Sequence, residues 1–115
     1  MDLELRGKVA IVGGASKGLG RACSEVLSEE GATVVMCSRT LADLEKSAEE
    51  IRKSTGGEIM VYAGDLEKLE VIQDLINQTV NKYGHLDIMV NNSGGPPLAR
   101  SFNATEEQWD IAVQR

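Results

Sequence analysis

Histidine, cysteine and positive charge are all scarce in this sequence. It has one histidine, His85, and two cysteines, Cys23 and Cys37, with no C-x-x-C pair and no Cys/His cluster. That is too few ligands, wrongly spaced, for a zinc site. Both cysteines fall in apolar patterns, so two buried free thiols and a reducing, cytoplasmic setting are expected. Lysine and arginine total 12 against 18 acidic residues, a net charge of -6. With no basic cluster, bulk attraction to nucleic acid or to an anionic membrane is excluded. One small anion held by two or three local cations is still allowed. No apolar run approaches the roughly 20 residues of a membrane span. The opening Met-Asp-Leu-Glu-Leu is too acidic for a secretion signal.

What is present is a chain of 115 residues, 42% of them hydrophobic, enough for one modest core in one domain. Its apolar residues alternate between two periods. Lys8–Gly13, Thr33–Ser38, Glu58–Gly64 and Leu86–Asn92 are short runs rich in Val, Ile and Met, the pattern of strands covered on both faces. Between them the spacing changes to three and four. Leu19, Ala22, Cys23, Val26 and Leu27 form one helical stripe, ended by Gly31. Leu41, Leu44, Ala48 and Ile51 form a second, opened by Thr40 with Asp43 as a weak capping box and broken at Gly56 and Gly57. Ile72, Leu75, Ile76, Thr79, Val80 and Tyr83 form a third, stopped by Gly84.

The segment from Ser93 to Ala104 reads as a loop, since Pro96 and Pro97 forbid regular helix there. Thr105 and Gln108 make a second capping box that opens a fourth helix, and the sequence ends inside it. Trp109 and Phe102 read as packing residues. Strand and helix alternating four times imply an α/β fold, with parallel strands joined by right-handed crossovers. Residues 1–115 therefore read as half of a doubly wound parallel sheet. Its fourth strand is expected to present an open edge.

Four of the chain's twelve glycines fall within Gly13–Gly20, directly between the first strand and the first helix. A helix N-terminus offers unpaired N–H groups and the positive end of the macrodipole, so it favours a phosphate that can come close. Gly14 would make the turn, Gly18 would admit a pyrophosphate, and Gly20 would allow tight packing of helix on strand. Ser16, Lys17 and Leu19 complete this loop. The spacing is G-x-x-x-G-x-G. It is not a P-loop, because Leu19 follows Gly18 where that motif needs lysine.

The end of the second strand carries Ser38 and Arg39 where an NAD site usually places an acid. A carboxylate would repel a ribose 2′-phosphate, whereas arginine pairs with it, and Lys17 can reach the same group. Two cations and no acid point to NADP(H). The missing acid also argues against an S-adenosylmethionine-dependent methyltransferase. The competing reading of Arg39 is a solvated surface residue ahead of a helix.

These residues resemble the short-chain dehydrogenase/reductase family. Its motif T-G-x-x-x-G-x-G matches Gly14, Gly18 and Gly20, with Gly13 in place of threonine. Its N-N-A-G motif is similar to Asn91, Asn92, Ser93 and Gly94, and its aspartate after the third strand matches Asp65. The resemblance covers the whole chain and is strongest toward NADP-dependent members such as 3-oxoacyl-[acyl-carrier-protein] reductases. It implies a Rossmann-type fold and hydride transfer between NADP(H) and a small carbonyl or alcohol, in a protein that forms dimers or tetramers. It implies that Asp65 and the Leu66 amide meet the adenine, and that Asn91, Ser93 and Gly94 line the ribose. The alternatives are a helix-capping Asp65 and a purely structural Asn91.

The family's catalytic serine, tyrosine and lysine are expected to lie beyond the fourth helix. Here the fourth residue after Tyr62 is Leu66, and after Tyr83 it is Asp87. No catalytic residue is assigned in this chain, and Ser93 has no base to make it a nucleophile. His85 reads as a turn residue. The chain is expected to be the cofactor half of a longer enzyme and inactive by itself, the alternative being a non-catalytic NADP(H)-binding module.

Overall fold

The computed structural model describes residues 5–91 and the backbone of 98–101. In chain order the elements are β1 (Val9–Gly13), α1 (Gly18–Glu29), β2 (Thr33–Ser38), α2 (Leu41–Thr55), β3 (Ile59–Ala63), α3 (Leu69–Tyr83), β4 (Ile88–Asn91) and β5 (Leu98–Ser101). They build one sheet in the order β3-β2-β1-β4-β5. The first four strands are parallel, as the alternation of strand and helix requires. The expected fourth helix falls outside the described residues.

Period-two alternation divides the core between the two faces of the sheet. Ile11, Val35, Cys37 and Met89 pack with Leu66, Ile72 and Leu75 on the α3 side. Val12, Val34, Met36 and Val90 pack with Leu44, Ala48 and Ile51 of α2, with Cys23 and Leu27 of α1 against them. Helices on both faces explain why each central strand reads as a continuous apolar run. Gly56 and Gly84 end α2 and α3 in the left-handed region, at φ 72° and 88°, where a Cβ would be strained.

Several expectations are corrected. Leu19 and Val26 remain 52% and 49% exposed. The face that α1 buries is instead Gly20, Ser24 and Ser28. One of its small hydroxyls is satisfied within the helix and one across to α2: Ser24 Oγ donates to the Gly20 carbonyl at 2.9 Å, and Ser28 Oγ lies 2.7 Å from Thr55 Oγ1. Leu41 and Val80 are exposed as well, and Cys23 is only half-buried. The Thr40–Asp43 capping box does not form, because Thr40 makes no side-chain cap bond. Ser38 turns the chain there, its Oγ accepting the Thr40 N–H at 3.3 Å. Residues 98–101, expected in a loop, form a strand antiparallel to β4, so the β4 edge is paired.

Gly13 ends β1 in register with Cys37 on one side and Asn91 on the other. A Cβ on Gly13 would lie 2.6 Å from Leu66 Cδ1 and 3.3 Å from Asn91 Oδ1. Leu66, from the β3–α3 connection, thus fills the space of the missing side chain. Gly13→Thr is expected to lower the unfolding free energy by about 1–3 kcal/mol through overpacking. In a Leu66→Ala background most of that penalty should disappear, which a urea double-mutant cycle measures.

Burial pushes the Cys37 thiol from its ordinary value of 9.0 up to about 12. Between those values the unfolded chain releases a proton that the folded chain keeps. The contribution of Cys37 to stability is therefore complete below pH 9 and is lost as pH rises toward 12. Denaturant midpoints are expected to fall over that range, and to fall less in Cys37→Ala. An equal alkaline fall in both chains would exclude the thiol as its source.

Candidate functional site

The chain leaves β1 for β2 and β3 on one side and returns to β4 on the other. The crevice at the carboxyl ends of β1 and β4 is therefore the switch point of the sheet, the usual ligand position in such folds. The glycine loop lies there. Gly14 takes φ 65°, and the Ala15 N–H donates to the Cys37 carbonyl at 3.0 Å, tying the loop to β2. The Ser16 carbonyl accepts a hydrogen bond from Ser47 Oγ of α2 at 2.6 Å. Lys17 is the extended N-cap of α1 and makes no side-chain cap bond.

Gly18 opens the helix at φ 65°, and a Cβ there would meet nothing within 4 Å. Glycine at this position serves the backbone conformation and leaves the approach clear. Gly20 serves contact instead: a Cβ on it would collide with the Gly14 carbonyl and lie 3.1 Å from Ala15 Cα. The first turn of α1 carries no acidic residue. Its positive end is thus uncompensated, and the bare backbone around it fits an anionic phosphate.

The second part of the site follows β2. Ser38 is half-buried and Arg39 exposed, and the Ser38 carbonyl accepts the Gly64 N–H at 2.9 Å. No acid occurs from Ser38 to Ala42. Among the described residues neither Lys17 nor Arg39 forms an ion pair. The third part is the β3–α3 turn. Asp65 Oδ1 accepts the Glu67 N–H at 2.9 Å, and the Asp65 carbonyl accepts the Lys68 N–H at 3.1 Å. Asp65 therefore closes its own turn, and Leu66 beside it is buried.

The strand registers bring these parts to one edge: Gly13 pairs with Cys37 and Asn91, and Ser38 with Ala63. Gly14, Ser16, Lys17, Gly18, Leu19, Gly20, Ser38, Arg39, Asp65, Leu66 and Asn91 all belong to this end. Ser93 and Gly94 lie outside the described residues. His85 lies at the other end of the sheet, where its Nε2 is 2.8 Å from the Gly7 carbonyl and 3.0 Å from Asp87 Oδ2. Asp87 Oδ2 also accepts the Val9 N–H at 2.8 Å, so this group clasps β1 to the entry of β4. Sequence reasoning missed Ser47, because the apolar stripe of α2 steps from Leu44 to Ala48 and passes over it. A serine on the buried side of an amphipathic helix was the available signal.

Among the described residues no group of three or more His, Cys, Asp or Glu could hold a metal ion. No helix among them is long and apolar enough to cross a membrane.

Comparison with known proteins bears on this geometry. The chain is 32% identical over 114 residues to the 3-oxoacyl-[acyl-carrier-protein] reductase of Thermotoga maritima, covering 96% of this chain and 45% of that protein. It is 38% identical over 95 residues to a probable 2,4-dienoyl-CoA reductase of Caenorhabditis elegans, covering 82% and 31%. Among solved structures, L-sorbose reductase from Gluconobacter frateurii, complexed with NADPH and L-sorbose, superimposes with a TM-score of 0.78 at 30% identity, covering 96% of this chain and 42% of that one. The chain thus spans less than half the length of each of these relatives. The family model described as short chain dehydrogenase matches residues 8–115, and with the glycine mouth at the sheet's switch point this places the chain in the short-chain dehydrogenase family of oxidoreductases.

Proposed function

We propose that this chain is the cofactor-binding part of an NADP(H)-dependent oxidoreductase that reduces a carbonyl, or oxidises an alcohol, by hydride transfer. One observation carries the NADP(H) preference. Lys17 and Arg39 are exposed cations on two segments joined by the Ala15–Cys37 hydrogen bond, and no carboxylate ends β2. An acid there would accept the ribose hydroxyls of NAD(H) and repel a 2′-phosphate; a guanidinium pairs with that phosphate. The NADPH named with the L-sorbose reductase structure supports the same reading.

The roles follow from the family resemblance together with this geometry. The first turn of α1 holds the pyrophosphate, which Gly18 admits. Asp65, with one oxygen used in its turn, accepts the adenine amino group through the other, beside the Leu66 amide. The resemblance gives the ribose to Asn91, Ser93 and Gly94. When bound, the nicotinamide supplies or takes the hydride. Identity to the Thermotoga reductase favours 3-oxoacyl substrates for the whole protein, and the family resemblance adds a cytoplasmic dimer or tetramer.

Arg39→Asp is expected to weaken NADPH binding by about tenfold to a hundredfold, from the loss of one charge-assisted contact and the gain of a repulsive one. NADH binding should change little. Equal weakening of the two would refute the 2′-phosphate role.

A second reading, a non-catalytic NADP(H)-binding module, is favoured by one feature. Neither Tyr62 nor Tyr83 has a lysine four residues later, and a tyrosine–lysine pair is the proton donor that the family resemblance implies. The purified 115-residue chain is expected to bind NADPH without oxidising it when offered a keto ester. Turnover by that chain would mean that the proton donor lies among its own residues.

A further inference from the structure

Ser47 is a buried polar residue that the dinucleotide site does not itself require. It sits on α2, 5% exposed, between Leu44 and Ile51 of the core. Its hydroxyl does not bond back into its own helix. It donates to the Ser16 carbonyl across 31 residues of sequence, at 2.6 Å. That carbonyl belongs to the peptide that leads directly into Lys17. A trans peptide is a rigid plane, so holding its oxygen fixes the Lys17 N–H and Cα as well.

The same helix starts two residues after Arg39. The Arg39 end is itself held by the Ser38 turn, in which Ser38 Oγ accepts the Thr40 N–H at 3.3 Å. Helix α2 is therefore a rigid strut with one cation at its entry and a grip on the loop that carries the other. The Arg21–Glu50 ion pair at 3.0 Å ties it further to α1.

We infer that Ser47 is a positioning residue for cofactor selectivity: through the Ser16 peptide it sets Lys17 at a fixed offset from Arg39, so that both cations converge on one 2′-phosphate. This rests on the NADP(H) reading above. Two long cationic side chains on independently moving segments would lose more conformational entropy on binding the same group. Ser47 lowers that loss at the loop end.

The test is a titration of the 115-residue chain with NADPH and with NADH, alongside thermal unfolding. Ser47→Ala is expected to lower the NADPH-to-NADH affinity ratio by about fivefold, the worth of one hydrogen bond. Ser47→Thr, which keeps the hydroxyl, should restore most of the ratio. In a Lys17→Met background Ser47→Ala should leave the ratio unchanged, because the effect passes through Lys17. If Ser47→Ala yields no folded chain, Ser47→Cys keeps the size, weakens the donor and is read the same way. A ratio that survives while the melting temperature falls makes Ser47 purely structural and overturns the inference alone. An unsubstituted chain with no preference for NADPH overturns the NADP(H) reading, and this inference with it.

Discussion

Everything at the candidate site hangs on how closely the backbone after β1 can approach its neighbours. Within seven residues the loop from Gly14 to Gly20 touches three elements. Ala15 hydrogen-bonds the end of β2, Ser16 is held by α2, and Gly20 of α1 lies against the Gly14 carbonyl. A side chain on Gly20 would push α1 off the loop, and one on Gly13 would crowd Leu66 and Asn91. One on Gly18 would meet no protein atom but would strain a backbone at φ 65°. The glycines therefore divide the labour: two permit contact within the protein, and one permits approach from outside it.

That division explains what was legible in the sequence. The four parallel strands could be read because each is a β-branched, apolar run covered on both faces. The strand ends at the switch point could be read because glycine spacing, Ser38/Arg39, Asp65 and Asn91 each mark one. The buried face of α1 could not be read from hydrophobicity. Its contacts are so close that serine and glycine line them, while Leu19 and Val26 point outward. The same closeness hid Ser47, whose value lies in a hydrogen bond to a distant peptide rather than in apolar area. The Thr40–Asp43 box misled because Ser38, two residues earlier, supplies the oxygen that turns the chain. The strand at 98–101 takes its pairing from the β4 edge, a tertiary partner that local pattern does not encode.

The charge balance is consistent with a site of local design. A net charge of -6 would repel a multiply charged anion at long range. At physiological ionic strength, however, that field is screened within about 8 Å. What matters at the mouth is the unopposed helix end, Lys17 and Arg39. Three carboxylates elsewhere are engaged with partners away from the mouth: Glu50 with Arg21, Asp74 with Tyr62 and Gln78, and Glu58 with Tyr83 and Lys82. No acid stands from Ser38 to Ala42, so the end of β2 adds no negative charge to the mouth.

The chain's two tyrosines, Tyr62 and Tyr83, are each paired with a carboxylate. A tyrosine that gives a proton to an alkoxide near neutral pH works best with its pKa brought down, which takes a neighbouring cation. Tyr62 and Tyr83 are driven the other way. Burial first, then hydrogen bonds to Asp74 and Glu58 respectively, push each up to about 12. Each phenol donates to a carboxylate, so its proton is held where a negative charge already sits. Lys82 lies over the Tyr83 ring at 5.4 Å, but its ammonium is also 3.9 Å from Glu58, the carboxylate that accepts the phenol proton. Its charge is thus shared with the group that raises the pKa. Both phenols are thus tuned away from giving up a proton near neutral pH.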